Sequence, residues 1–329
     1  MPGNQRKPAR FAGLTASGED ERVENVSLTK RFRLWAIIGP TASGKSALAM
    51  ALARRTGAQI LSVDSMQVYQ GMDIGTAKPT SDEQREVVHH LIDVASPADE
   101  FAVSKFVELA DRAIASAKSR DVPLIAVGGT PLYFKSLFQG LFEGPAGDAE
   151  LRQELSRVDP KELHERLSAI DPAAAARLHI NDTRRVIRAI EVFEQTGKPI
   201  SQLQTQWASP PRHPATWLGM NCDKEILGKR INTRIRQMID AGWIEEVRGL
   251  LARHGTLSKT AGEATGYLQI SRHLREELTL DDAIEEIKVL TRQLARRQMK
   301  WFRRFEDVSW IDSTSDVEWV ARSLAVFDV

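Results

Sequence analysis

Eight consecutive residues carry the clearest chemistry in the chain. Gly39, Pro40, Thr41, Ala42, Ser43, Gly44, Lys45 and Ser46 fit the phosphate-loop pattern G-x-x-x-x-G-K-[ST] without a gap. The glycines let the backbone wrap closely, so that successive N–H groups point into one anion. A helix opening at Lys45 adds the positive end of its dipole. Lys45 supplies a mobile cation for the phosphate oxygens, and Ser46 can hold Mg²⁺ through its hydroxyl. The pattern selects a polyphosphate without saying which: ATP, GTP or a prenyl pyrophosphate would satisfy it.

A second group lies at residues 62–69, Ser-Val-Asp-Ser-Met-Gln-Val-Tyr. A carboxylate there, Asp64, can hold Mg²⁺ or serve as a general base. Ser65 and Gln67 offer donors and acceptors suited to the edge of a nucleobase, and Tyr69 can stack or pack. Gly128-Gly129-Thr130 ends another apolar run, where a tight turn and a substrate contact by Thr130 are compatible. His89 and His90 tempt a metal reading, but adjacent residues in extended chain point to opposite faces, so no metal is expected on them.

Basic residues gather in three places. Arg184, Arg185 and Arg188 form one cluster, and Lys229, Arg230, Arg234 and Arg236 another. The third is Arg292, Arg296, Arg297, Lys300, Arg303 and Arg304, with no acidic residue between them. Within it Arg292, Arg296, Lys300 and Arg304 recur every fourth residue, which lines one helix face. The opposite stripe, Ile284, Ile287, Leu290, Leu294, Trp301 and Phe305, reads as apolar packing. Such a cationic ridge suits a phosphate backbone. Arg230 or Arg234 could instead reach into the site and clamp a pyrophosphate, which suits guanidinium geometry.

A sheet edge is the simplest device that would bring these groups together. Apolar runs at 34–38, 59–63 and 123–127 predict parallel strands buried on both faces, with helices at 45–55 and 106–118 between them. Ligands bind beyond the carboxyl ends of such strands, which sets Asp64 near the phosphate loop. From 143 to 213 only helical spacing remains, through Leu163, Leu167 and Ile170 and through Val186, Ile187, Ile190 and Val192. A strand returns at 217–220, helices follow at 224–240, 242–254 and 281–305, and a last strand is expected at 308–311. The expected fold is α/β: a P-loop NTPase-like parallel sheet flanked by helices, built from 31–142 and 214–329, with an inserted all-helical domain at 143–213. Residues 1–30 are polar and aperiodic and are expected to form a disordered tail.

Bulk composition excludes several classes. The chain has 329 residues, 42% hydrophobic and 27% charged, with a net charge of +1, an ordinary globular mix. Its single cysteine, Cys222, leaves no internal disulfide and no Cys/His zinc framework. No stretch approaches the ~20 apolar residues of a membrane span. The N-terminus lacks an apolar signal core, so a cytoplasmic protein without membrane partners is expected.

The segments GPTASGKS (39–46), SVDSMQVY (62–69), MDIGTAKP (72–79), HHLIDV (89–94), VGGTPLYFKSL (127–137) and NDTRRVIRAIEVFEQTGKP (181–199) resemble, in content and order, the bacterial tRNA dimethylallyltransferases. GYLQI (266–270) and TRQLARRQMKWFRR (291–304) are similar to that family's closing segments. The resemblance implies transfer of a dimethylallyl group from dimethylallyl pyrophosphate to N6 of adenosine 37 in tRNA, with release of pyrophosphate. It implies that the phosphate loop holds the pyrophosphate and that Asp64 takes the N6 proton, with Thr41 as a supporting hydroxyl. Lys45, Mg²⁺ and an arginine such as Arg230 would stabilise the leaving group. Asp64, Ser65, Met66, Gln67 and Thr130 would meet the exposed base. Arg184, Arg185, Val186, Ile187 and Arg188, together with Gly266 and Tyr267, would contact tRNA, the insertion gripping the anticodon stem-loop. A monomer is expected.

Overall fold

A computed structural model describes residues 32–142, 144–204, 210–313 and 318–327. The expected tail at 1–30 lies outside the described residues. Six parallel strands make one sheet: β1 (Leu34–Ile38), β2 (Gln59–Ser62), β3 (His89–His90), β4 (Leu124–Gly128), β5 (Thr216–Asn221) and β6 (Val308–Asp312). Their order is β3-β2-β4-β1-β5-β6. Five lie where apolar runs predict them. The sixth, β3, is a two-residue edge strand paired with Ile60 and Leu61, too short to carry a period.

The central strand shows why its sequence is apolar throughout. All five residues of β1 are buried, and side chains alternate between the two faces. Leu34, Ala36 and Ile38 join a cluster with Phe106 and Phe134 on one face. Trp35 and Ile37 join Leu48 and Leu52 on the other. The helices Val103–Ser119 and Pro131–Gln139 cover the first face, and Lys45–Thr56 covers the second. With cover on both sides, the open part of the sheet is the rim where the strands end.

Between the helix Pro131–Gln139 and β5, the described residues form five helices: Ala149–Leu155, Pro160–Ile170, Pro172–Ala175, Thr183–Thr196 and Ile200–Leu203. Asp-Pro pairs start two of them. Asp159 accepts from Lys161 N and Asp171 from Ala174 N, with the following proline at the first helical position. Leu155, Leu163, Leu167, Val186 and Ile190 close an apolar cluster of their own.

A further cluster, with Tyr69, Trp243, Tyr267 and Ile287 at its centre, joins the loop after β2 to the later helices. Those are Lys224–Asp240, Trp243–His254, Tyr267–Leu274 and Leu280–Phe302. The last ends one turn before the expected 305, leaving Arg303 and Arg304 in a turn. Its buried positions are Ala283, Ile287, Lys288, Ala295, Gln298 and Phe302, so the expected apolar stripe is displaced around the helix. Arg292, expected on the ridge, is half-buried, and its Nη2 donates to Asn232 Oδ1 at 3.2 Å. Among the described residues no helix is long and apolar enough to cross a membrane.

Candidate active site

The phosphate loop leaves β1 and turns through two left-handed residues, Ala42 (φ 61°) and Gly44 (φ 96°). This alternation turns successive amides into one concavity, a form that binds anions. Gly39 is required for a different reason: a Cβ there would lie 2.7 Å from the carbonyl of Met220 on the neighbouring strand β5. Lys45 is buried, and its Nζ donates to Pro40 O at 2.5 Å. Burial, and then the nearby Arg234, lower its pKa to about 7, while Asp64 pulls the other way. Ser46 is exposed at the start of the helix and lines the cavity. Ser43 is wholly buried and its carbonyl accepts from Ser313 Oγ at 2.8 Å, so its side chain packs inside the loop.

Asp64 stands just beyond β2. Its Oδ1 accepts from Met66 N at 2.8 Å and Gln67 N at 3.4 Å, the local turn that Asp favours. Fixing one oxygen this way leaves Oδ2 as the one available for proton transfer. Ser65 N donates to Thr130 Oγ1 at 3.1 Å, and Thr130 Oγ1 donates to Ser65 Oγ at 3.3 Å. The rims of β2 and β4 are therefore tied together beside Asp64. The approach is so close that a Cβ on Gly128 would lie 2.0 Å from Val63 O. The Gln67 amide is spent within the protein: its Oε1 accepts from Ser62 Oγ at 2.7 Å and its Nε2 donates to Thr76 O and Ala77 O at 3.3 and 3.2 Å. It shapes the site in place of the free base-edge group expected of it.

One cavity of about 1130 Å³ receives Thr41, Ala42, Gly44, Lys45 and Ser46 from the phosphate loop and Asp64, Ser65, Met66, Gln67 and Thr130 from the β2 and β4 rims. Gly39, Pro40 and Ser43 frame the loop without lining it. Of the two arginines left open, Arg234 lines the cavity and Arg230 does not. Arg230 Nη1 donates to Ser313 Oγ at 2.7 Å and approaches Cys222 Sγ at 3.6 Å, which places it behind the loop. Arg234 is half-buried, and its shielding from solvent lowers its pKa, with Asp64 the opposing influence. The helix Leu280–Phe302 adds Leu294, Arg297, Gln298 and Trp301 to the wall. Leu294 and Trp301 were expected in the core stripe. Their three- and four-residue spacing with Gln298 marks one helix face, which the sequence could have signalled had the stripe been read as part of a cavity.

The remaining expected tRNA contacts divide. Arg184 and Arg185 are exposed, Arg185 within 3.1 Å of Asp182. Val186 is wholly buried in the cluster between the helices, so it cannot touch RNA. Ile187 is half-buried there. Arg188 Nη1 meets the buried Glu191 carboxylate at 2.5 Å, and its Nη2 donates to Pro145 O at 2.8 Å. Three of the five are thus engaged in packing, because the helix turns them inward. Tyr267 is 1% exposed, and its hydroxyl donates to Glu246 at 2.6 Å. The same carboxylate accepts from Asp73 N, Ile74 N and Gly75 N, anchoring the loop after β2. Gly266 (φ 97°) has no room for a side chain, since a Cβ would fall 2.0 Å from Trp243. Tyr267 thus lines the cavity, and Gly266 stands behind the wall.

His89 lines the cavity, and its Nδ1 lies 2.8 Å from Val87 O, while His90 Nε2 lies 2.8 Å from Gln59 Oε1. Among the described residues no three His, Cys, Asp or Glu side chains converge on a metal position.

The sequence pattern described as "IPP transferase" matches residues 67–305, and that described as "Isopentenyl transferase" matches residues 32–96. A protein named tRNA dimethylallyltransferase from Geobacter metallireducens is 47% identical over 289 residues, covering 86% of this chain and 93% of the relative. One of the same name from Anaeromyxobacter dehalogenans is 43% identical, covering 88% and 98%. The crystal structure of a full-length tRNA isopentenylpyrophosphate transferase from Bacillus halodurans superposes with a TM-score of 0.67 at 36% identity, covering 90% of this chain and 95% of that one. A eukaryotic dimethylallyltransferase acting on tRNA gives 0.76 at 26% identity, covering 89% and 78%. On its phosphate loop, its parallel sheet and this agreement along nearly its whole described length, the chain belongs to the family of tRNA dimethylallyltransferases.

Proposed function

We propose that this chain transfers the dimethylallyl group of dimethylallyl pyrophosphate to N6 of adenosine 37 in tRNA, working as a monomer in the cytoplasm. The observation that carries this reading is the opening of the phosphate loop and Asp64 onto one cavity, beside Lys45 and Arg234. Asp64 Oδ2 takes a proton from the adenine amine as N6 attacks the allylic carbon. The N–C bond forms, the C–O bond to pyrophosphate breaks, and the electron pair leaves with the pyrophosphate. The loop amides and Lys45 receive that charge, which grows in the transition state and is where fixed donors act most strongly. Arg234 is the arginine we assign to the pyrophosphate, and Arg230 supports the loop through Ser313. Thr41 lines the same cavity and supplies the supporting hydroxyl.

The donor set fits Mg²⁺ of a particular kind. The Ser46 hydroxyl lies at the cavity wall without a hydrogen bond among the described residues. That suits an ion taking its other ligands from phosphate oxygens and water. Bound there, it would neutralise charge on the pyrophosphate. Ser65, Met66 and Thr130 border the position of the extruded base. Arg184 and Arg185 on the insertion, with Arg296 and Lys300 on the long helix, offer exposed cations to the anticodon stem-loop.

The test is to incubate the protein with Mg²⁺, radiolabelled dimethylallyl pyrophosphate and either unmodified tRNA or AMP. Label on tRNA, recovered on adenosine 37 after nuclease digestion, is the expected result. Label on AMP alone would assign a free-nucleotide prenyltransferase. ATP-dependent phosphorylation without label transfer would assign a kinase.

A further inference from the structure

Gln298 is 7% exposed on the long helix Leu280–Phe302, and both ends of its amide are engaged across the rim of the sheet. Its Oε1 accepts from Thr41 N at 2.8 Å, and its Nε2 donates to Gly129 O at 2.7 Å. Thr41 opens the phosphate loop after β1, and Gly129 opens the loop after β4, the parallel neighbour of β1. The two loops leave the sheet side by side, and this one side chain bridges them.

Two details show that the bridge is built into the site. The Thr41 amide, second after Gly39 in the phosphate loop, is turned to Gln298, so the amides offered to an anion begin at Ala42. Gly129 makes room for the bridge, since a Cβ there would fall 2.6 Å from Gln298 Nε2. A glycine read as a turn residue is thus a spacing requirement for a side chain 169 positions away.

We propose that Gln298 is a positioning residue for the phosphate loop, holding its mouth at the spacing from the β4 rim that pyrophosphate binding needs. This rests on the reading of the loop as the pyrophosphate site. Without the bridge, Thr41 N loses its buried acceptor and the loop gains freedom at its first turn. Ordering it then falls to the ligand, so affinity for the pyrophosphate end drops while the RNA surface is untouched.

The experiment compares wild type, Gln298→Met and Gly129→Ala. Methionine keeps the length and packing of glutamine but makes neither hydrogen bond, and Gly129→Ala displaces the same amide from the other side. Calorimetry with inorganic pyrophosphate and Mg²⁺ reads binding directly, and steady-state label transfer gives KM for dimethylallyl pyrophosphate and kcat. Both variants should weaken pyrophosphate binding and raise KM about tenfold, the scale of losing a buried hydrogen bond to a fixed group, with tRNA affinity unchanged. Absence of pyrophosphate binding by wild type would refute the loop assignment itself. Wild-type binding with unchanged affinity in the variants would overturn the role of Gln298, as would a parallel loss of tRNA affinity, the mark of a general support for the helix. Should one variant lose its cooperative thermal melt, the other decides.

Discussion

In the insertion, Arg152 and Arg188 close on Glu191, whose carboxylate is wholly buried and also accepts from Asp148 N at 2.6 Å. In the cavity, Lys45, Arg234 and Arg297 stand together, and none has a carboxylate in ion-pair distance among the described residues. Asp64 is near enough to affect Lys45 and Arg234, but its Oδ1 is held by backbone amides. The insertion neutralises its buried charge to fix the course of two helices. The cavity leaves these basic groups without an ion-pair partner, where a ligand can supply the anion. Both regions are rich in arginine, and what separates them is whether the chain supplies the anion.

That contrast can be broken at either end. The largest effect on rate short of removing the base is expected from Lys45→Ala, with label transfer falling ~10²–10³-fold, as when a preorganised charge donor is lost. A loss confined to tRNA binding would show that the cavity's cations serve the RNA. In the insertion, Glu191→Ala should destabilise the fold by about 3 kcal/mol in urea unfolding, since a buried carboxylate is removed from two arginines that can partly reach water. Turnover of the folded variant should stay within a few-fold of wild type. A stable but inactive variant would move Glu191 into the functional machinery.

The charge on Lys45 gives a smaller, pH-dependent effect. Its pKa is lowered to about 7 by burial and by Arg234. Below that pH it is already protonated and ready for an anion. Above it, binding must first add the proton, so affinity for dimethylallyl pyrophosphate falls by up to about tenfold per pH unit, or about 1.4 kcal/mol. Calorimetry at pH 8 in buffers of different ionisation heat should show about one proton taken up by wild type beyond that in Lys45→Gln. Equal uptake would mean Lys45 is charged in the empty cavity. The smallest effect belongs to the exposed ridge. Changing Arg296 and Lys300 together to Ala should reduce the slope of log affinity for tRNA against log salt by about 1.5, two phosphate contacts' worth. An unchanged slope would remove the ridge from the RNA surface.

How far each region can be read from sequence follows the same division. The phosphate loop is legible because backbone amides and glycines make it, so spacing alone nearly determines its shape. The strands are legible because burial on both faces leaves continuous apolar runs; β3 escapes because two residues at an edge have no run. Arg188 is not legible as a packing residue, because its role depends on Glu191 and on Arg152, which lies 39 positions from Glu191. Arg230 and Arg234 differ by one helical turn, and only the packing of their helix shows which faces the cavity. Gln298 is silent for the same reason: its partners lie 257 and 169 positions away. Leu294 and Trp301 look like core residues because a wall facing an apolar substrate and a wall facing a core have the same composition.

The most direct test of the account is single-turnover label transfer from dimethylallyl pyrophosphate to tRNA, run for wild type and Asp64→Asn side by side with tRNA affinity measured on both. Asparagine keeps an oxygen for the Met66 and Gln67 amides but cannot accept the proton. The account predicts a loss of ~10²–10⁴ in rate, typical of removing a general base, with tRNA affinity unchanged. A variant that transfers label at nearly the wild-type rate would contradict it.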